Sequence, residues 1–571
     1  MIRYTVSLFV LVSIILIPAF AGDATVPGEL SAPYPTLINI GLVWGIEGDD
    51  NLNGRVDVRY RPAGESRWQD AMPLRRVPAG ESVRTTPIFK WDNKHAGSIF
   101  DLKPGTEYEI NLKLSDPDGG AAEKSISVKT RAVPRPMPGA AVKLANPRTF
   151  KEVWGSAQPG DIIELTYGYY YTFEADKDGA PGKPIVIRTK EGGTVFEGVS
   201  LRGRKHIYLD GLNVWGSIDL LEGEHLTVRR CTVSAKYAIV ARSVPGCKNC
   251  YIADNVVTYR MPWIRRGMGH QNEFEAGANN GEGIQITGPG NVICYNYVSG
   301  FRDCISTMED RSAAEQVCID IYNNDVFVGV DDGIEADFCM QNCRIMRNRL
   351  TNCFMGLSSQ PGLGGPTYFI RNVMYNITCS PFKLSRRSVG NVLLHNTVVK
   401  VGDGMRAGDK NHTLFRNNLC IGGIGGGKYG IYSSGNGLAI NLSRNVPPSC
   451  DYDYDAVGSY LMPFQGQIGD ITVNSIEELR EKTMEKHAVE VDMTVFNDVV
   501  FPYPAVPERE PPDLRPLPGS VVVDAGQKLA NVNDGFLGDA PDIGAYEAGQ
   551  EMPHYGPRPA GMDEETTWGG K

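Results

Sequence analysis

The sequence predicts an all-β protein, a single-stranded parallel solenoid preceded by a β-sandwich, on three observations. First, one short phrase recurs: YIADNVV, ICYNYV, IYNNDV, IMRNRL, FIRNVM, LLHNTV and LFRNNL, with its asparagine at Asn255, Asn296, Asn324, Asn348, Asn372, Asn396 and Asn418. Three successive gaps are 24 residues, the first is 41 and the last is 22. A β-rich unit of that period cannot bury its own apolar face and must stack on its neighbours. Second, 571 residues exceed one ordinary core, and 65 glycines with little helical periodicity favour strands. Third, the early strands alternate with period two, as Val56, Val58, Tyr60 and then Tyr108, Ile110, Leu112. The repeated asparagine is expected to take the left-handed bend between strands and to stack its amide on the next coil as a ladder.

Taken in order, residues 1–21 read as an export signal. Arg3 supplies a positive start, Leu8 to Ile17 an apolar run, and Ala19-Phe20-Ala21 a cleavage site, with cleavage expected after Ala21. The run is short for a membrane span, and no later stretch approaches ~20 apolar residues. A secreted or periplasmic protein without stable membrane insertion is expected, as a monomer. The net charge of -10, with no basic run, argues against a nucleic-acid partner.

Residues 32–131 form the sandwich. Within them, Leu102-Lys103-Pro104-Gly105-Thr106-Glu107-Tyr108 resembles the L-x-P-x-T-x-Y signature of fibronectin type III domains. The resemblance implies a tyrosine corner at Tyr108, with Trp44 and Trp68 in the core. It implies nothing about chemistry. A spacer role is expected, with sugar binding through Trp91 as the alternative. Residues 132–139 are a proline-rich linker.

Residues 140–548 are the solenoid. Phe150-Lys151-Glu152-Val153 reads as a capping helix, and the aromatic run Tyr167-Gly168-Tyr169-Tyr170-Tyr171 follows the first coil. GDIIEL, KPIVIRTKEGGTVFEG and HIYLDGLNV, with the closing Ala540-Pro541-Asp542-Ile543-Gly544-Ala545-Tyr546-Glu547, resemble right-handed parallel β-helix proteins of the pectate lyase-like superfamily. The chondroitinase B and alginate lyase type is the nearest. Twelve cysteines fall between Cys231 and Cys450. Most read as small stacked core residues, with bridges such as Cys339 to Cys343 or Cys247 to Cys250 as the alternative. Ser475 to His487 is the clear helix. Residues 502–518 are proline-rich and are expected along the outside. Residues 549–571 are expected to be a flexible tail.

A second phrase (GIQIT, CISTM, GIEAD, GLSSQ, FKLSR, GMRAG) follows the asparagines. Period-two alternation points Ile284, Ile305, Ile334, Leu357, Phe382 and Met405 inward. It stacks Gln285, Ser306, Glu335, Ser358, Lys383 and Arg406 outward in one column. Rungs about 4.8 Å apart put the Cα atoms of Glu335 and Lys383 about 10 Å apart, and those of Glu335 and Asp337 about 6.7 Å apart on one strand. Asp331 and Asp332 are placed at a turn just before, with Gln360 above Asp337 and Arg386 and Arg387 at the next edge. A carboxylate cluster beside a cationic one suits an anionic polysaccharide.

Three functions fit that column. β-Elimination on a uronic-acid polymer needs a cation to neutralise the uronate carboxyl, a base and an acid. In the resembled family calcium held by acidic residues does the first, and lysine and arginine the others. The resemblance carries the acid-x-acid pair onto Glu335 and Asp337, which with Asp332 would hold Ca2+. The family's lysine follows that pair within a few residues. Here Met340 and Cys343 stand in that region, so rung geometry passes the base role to Lys383, with Arg406 or Arg386 as acid or clamp. Alternatively, Glu335 and Asp337 act as an inverting hydrolase pair, supported by Asp303 and Asp332. The third function is non-catalytic polysaccharide binding. The insertion before Gly283 carries Trp263, Arg265, Arg266, His270, Glu273 and Glu275 beside the column, and Glu309-Asp310-Arg311 and Pro361 to Gly365 flank it. Trp263, Arg265 and His270 join Gln285, Gln360 and Arg387 as candidate substrate contacts. No phosphate loop, nucleophile elbow or metal-spaced histidine pair is present, which excludes nucleotide enzymes, serine hydrolases and zinc proteases.

Overall fold

The computed structural model describes residues 22–190, 192–261, 263, 281–307, 316–429, 432–443, 446–505 and 507–566. The expected export signal, the Arg265 and His270 assignments and the Glu309-Asp310-Arg311 loop lie outside the described residues.

The first domain is a seven-stranded antiparallel sheet, with strands in the order 25–31, 40–48, 94–99, 69–77, 55–62, 107–115 and 121–129. The alternating residues Val56, Val58, Tyr60, Tyr108, Ile110 and Leu112 fill its interior with Trp44. Tyr108 makes the corner its motif implies, its hydroxyl accepting the Lys103 N–H at 2.9 Å. Tyr108→Phe leaves that N–H without its acceptor and is expected to cost about 1 kcal/mol in denaturant unfolding. An unchanged midpoint would remove the corner's role.

Two expectations for this domain fail. Trp68 is only half-buried and lies under Arg61, whose guanidinium carbon sits 4.4 Å from the ring centroid. Trp91 is buried against Phe89, Phe338 and Leu363 where the two domains meet, so its face is closed to sugars. Thr36 Oγ1 and Asn39 Nδ2 donate to Asp320 at 2.5 and 2.8 Å, and Arg344 Nε pairs with the same carboxylate at 2.5 Å. All four side chains are fully buried. A buried charge pair satisfied from both domains fixes them against each other.

The rest of the chain winds as a right-handed parallel β-helix, with one sheet of 13 strands and a second, bent sheet of 20. The asparagine ladder is continuous. The Oδ1 of each asparagine accepts both the N–H and the Nδ2 of the one before, at 2.8–3.1 Å from Asn255 to Asn418. It starts at the Cys231 N–H and ends on Asp455 Oδ1, which accepts from Asn418 at 2.7 and 2.9 Å. The left-handed residue is the one preceding each asparagine: Asp254, Tyr295, Asn323, Arg347, Arg371, His395 and Asn417. The asparagine keeps the extended backbone and gives its side chain to the ladder, correcting the sequence expectation.

The helix α1 (Phe150–Ser156) caps the first coil, burying Phe150 and Trp154 over Phe173 and Phe196. The helix α2 (Ile476–Lys482) starts as expected, Ser475 Oγ accepting the Glu478 N–H, but stops at Thr483 rather than His487. All twelve cysteines are buried free thiols, as the stacked-core reading expects, and neither of the alternative bridges is present. Phe501, Ala505, Leu514, Ile543 and Tyr546 cover the outward residues Val373, Tyr375, Val399 and Leu419 of the later coils. The tail is not free up to Thr566. Arg558 pairs with Asp254 at 2.7 Å, and Glu564 accepts the Tyr251 and Tyr322 hydroxyls at 2.9 Å. A polar tail docks here because Arg558 meets the buried Asp254 carboxylate and Glu564 meets buried tyrosine hydroxyls.

Candidate functional site

Five successive strands carry the site: β1 (Glu282–Ile286), β2 (Asp303–Ser306), β3 (Asp325–Glu335), β4 (Arg349–Ser359) and β5 (Phe382–Leu384). Ile284, Ile305, Ile334, Leu357 and Phe382 stack inward in register, and Gln285, Ser306, Glu335, Ser358 and Lys383 stack in the adjoining column. Beyond Lys383 the register departs from the expected one. Phe382 pairs with Ala407, so Arg406 falls beside Pro381 rather than above Lys383. Arg386 and Arg387, both at positive φ, take up the irregular chain between them. Arg386 still lines the cleft, while Arg387 is exposed outside it.

A second column was missed. The register Glu282↔Asp303 continues to Asp332, whose N–H donates to Asp303 Oδ1 at 2.9 Å. The signal was in the sequence: each acid immediately precedes the opening residue of a copy of the second phrase, Gly283, Cys304 and Gly333. Asp331 and Asp332 are not at a turn. They continue β3, where the pairing with β4 slips by one residue between Gly329 and Asp332. Such a bulge re-aims side chains. Val328, just before it, is a β-branched residue at φ +60, a strained conformation that the coil imposes beside the acids.

The two columns meet through their side chains. Lys383 Nζ pairs with Asp332 Oδ2 at 2.5 Å and lies 3.9 Å from Glu335 Oε1. Ser306 Oγ donates to Glu282 at 2.9 Å. Arg302 reaches Asp331 at 3.2 Å and Asp303 at 3.5 Å. Asp337 is not beside Glu335 on the strand but in the following turn. Its Oδ1 accepts from Ser358 Oγ at 2.6 Å and from the Gln360 N–H at 2.7 Å.

The acids are not an open, solvated face. Glu282, Asp303, Asp332, Asp337 and Glu335 are all buried, Glu335 at 5% exposure. Burial, reinforced by neighbouring acids, raises their proton affinities. Asp303 rises to about 8 against the opposing pull of Arg302, and Asp332 to about 7 against that of Lys383. Glu335 is held well above the carboxylate range by burial and then by Asp303, Asp337 and Asp332. Burial alone would lower Lys383, but Asp332, Asp331, Asp337 and Glu335 outweigh it and hold its ammonium firmly protonated.

Glu335 opens into a cleft of about 960 Å³ lined by Arg302, Asp331, Gln360, Lys383, Arg386, Arg406, Tyr432 and Ser433. Arg406 Nη1 donates to the Ser433 carbonyl at 2.5 Å. Trp263 is buried with Met261, Val328, Phe354 and Met355 and offers no free face for stacking. Gln285 is buried behind the acids.

Three carboxylates, from Asp303, Asp332 and Glu335, bring ligand atoms within 4.8 Å of one another. Among the described residues Asp332 Oδ1 has no hydrogen-bond partner, and Asp303 Oδ2 has only the 3.5 Å ion pair with Arg302. Oxygen-only donors with spare lone pairs fit a hard divalent cation. The set shares Asp332 and Glu335 with the one expected and has Asp303 in place of Asp337, whose Oδ1 is engaged and whose Oδ2 accepts no hydrogen bond from the described residues.

No family model matches the chain, and no curated protein matches it. Among solved structures it is similar to pectate lyase Pel9A, at 13% identity and TM-score 0.39, over 72% of this chain and 98% of that one. It is also similar to the family 28 exopolygalacturonase of Yersinia enterocolitica, at 12% identity and TM-score 0.27, over 76% of this chain and 91% of that one. The fold assignment rests on the parallel register and the asparagine ladder rather than on these likenesses.

Proposed function

We propose that the chain is an exported enzyme that hydrolyses glycosidic bonds of an acidic, uronic-acid-containing polysaccharide. One observation carries the reading: Glu335, a buried carboxyl gathered with Asp303, Asp332 and Lys383, opens into a cleft lined by arginines. Glu335 donates its proton to the glycosidic oxygen as the bond to the anomeric carbon breaks. Asp331, which shares the cleft and is paired to Arg302, takes a proton from the water that attacks the same carbon. Arg386 and Arg406 hold uronate carboxylates by charge-assisted hydrogen bonds. Lys383 acts by position, fixing Asp332 and carrying the positive charge nearest the acids.

Elimination, the first reading of the sequence, is supported by the three-carboxylate cluster, in which Asp303 Oδ2 and Asp332 Oδ1 accept no hydrogen bond from the described residues. Calcium held by Asp303, Asp332 and Glu335 would neutralise the uronate carboxyl. Against it, a catalytic base must arrive without its proton, and the ion pair with Asp332 opposes that for Lys383.

Purified protein is expected to release reducing ends from a polyuronate without the ultraviolet absorbance of unsaturated uronate, and to do so in the presence of a chelator. Absorbance that a chelator abolishes would replace hydrolysis by calcium-assisted elimination. Silence in both assays across a broad panel would leave polysaccharide binding alone.

A further inference from the structure

The first coils carry a feature unrelated to the cleft. Tyr171 and Trp215 are 65% and 64% exposed, and Tyr169, at 36%, lies between them. The Tyr169 ring centroid is 4.9 Å from that of Tyr171 and 6.2 Å from that of Trp215, so the three form one continuous strip. Tyr167, two residues before Tyr169, is 80% exposed.

The strip is built, not frayed. Tyr170 N–H donates to Val195 O, Glu197 N–H to Tyr171 O and Trp215 N–H to Phe196 O, at 2.7–3.0 Å, which ties three successive rungs together beneath the rings. Glu197 stands between Tyr171 and Trp215 and accepts the Tyr169 hydroxyl. Glu197 has no ion-pair partner among the described residues.

What the strip fits follows from a contrast within one sheet. In the later coils the outward positions are Val373, Tyr375, Val399 and Leu419, and the C-terminal segment covers them. In the first coils no described segment covers them, and there they are tyrosine and tryptophan, which pair an apolar face with a polar edge. A contiguous exposed patch of that composition marks a binding surface. Flat rings match the C–H faces of pyranoses, and the Glu197 carboxylate beside them, which accepts the Tyr169 and Thr172 hydroxyls, keeps further lone pairs for sugar hydroxyls. The same carboxylate repels a uronate, so the strip disfavours the charge that the arginine-lined cleft favours.

We propose that Tyr169, Tyr171 and Trp215 with Glu197 form a second carbohydrate site, which binds an uncharged polysaccharide chain. It lies four to six rungs from Glu335, about 20 to 30 Å along the sheet. At that distance it anchors the enzyme to a neutral glycan that accompanies the cleft's substrate and takes no part in bond cleavage.

The test is affinity electrophoresis of the full chain in gels containing hydroxyethyl cellulose, xylan, galactomannan or polygalacturonate. At least one neutral gel is expected to retard the wild type, and Trp215→Ala and Tyr171→Ala are each expected to weaken retardation at least tenfold. Activity on soluble oligouronides should be unchanged in both variants, so a failure of the cleft reading leaves this result untouched. Three outcomes would overturn the site. They are no retardation by any neutral glycan, equal Trp215-dependent retardation by polygalacturonate, and loss of a self-associated species on Trp215→Ala without glycan binding.

Discussion

Glu335→Gln is expected to lower kcat on a polyuronate by about a thousandfold, the middle of the range for general acid catalysis, while leaving the melting temperature nearly unchanged. The two halves of that expectation have one cause. Burial and the acids Asp303, Asp337 and Asp332 keep Glu335 protonated, so glutamine reproduces its size and neutrality and removes only the transferable proton. The same substitution at a carboxylate that is ionised in the fold would disturb its partners. Leaving-group dependence separates proton donation from simple positioning. An aryl glycoside whose phenolate departs without help should lose far less activity in the variant than the polymer does. An equal loss on both substrates would show that Glu335 holds the sugar rather than protonates it, and no loss on either would remove it from the reaction.

How far the sequence reaches is decided by which interactions repeat. The ladder asparagines recur because each needs the same pair of donors from the coil before, so coil positions and the inward column could be read directly. The carboxylate column Glu282, Asp303 and Asp332 precedes only three copies of the second phrase, and loops of different length separate its members. Arg406 was assigned to the wrong rung because Arg386 and Arg387 take left-handed backbone that alternation does not foresee. Burial was the property least visible. Tyr432 lies about fifty residues from Lys383 in sequence yet shares its cleft, and Arg558 meets Asp254 across some three hundred. A charged residue gives no sign of whether it faces water or a distant segment, so acids expected on an open face proved to be enclosed. Enclosure is what changes their chemistry.

The far end of the ladder provides the strongest test of that point, away from the cleft. Asp455 occupies the next ladder position after Asn418 but is an acid, fully buried and beside the equally buried Glu485. Burial raises Asp455 to about 7, with the Asn418 bonds and Arg416 opposing, and raises Glu485 further, with Asp455 and Asp453 adding to the effect. Both folded-state values exceed the unfolded ones, so the folded protein binds more protons. Stability is then complete below about pH 4 for these groups and declines as pH rises through the folded values. A shift of about three units at Asp455 corresponds to about 4 kcal/mol between acid and mildly alkaline conditions. Asp455→Asn keeps an Oδ1 to accept from Asn418, extends the ladder by one true asparagine and cannot ionise. Its unfolding free energy should match the wild type near pH 4 and exceed it increasingly between pH 5 and 8. Glu485→Gln should act in the same direction. Denaturant unfolding across that range checks both. Parallel wild-type and Asp455→Asn curves would mean that Asp455 is already ionised at pH 5. The ladder would then end on a charge that its two asparagine donors and Arg416 suffice to hold.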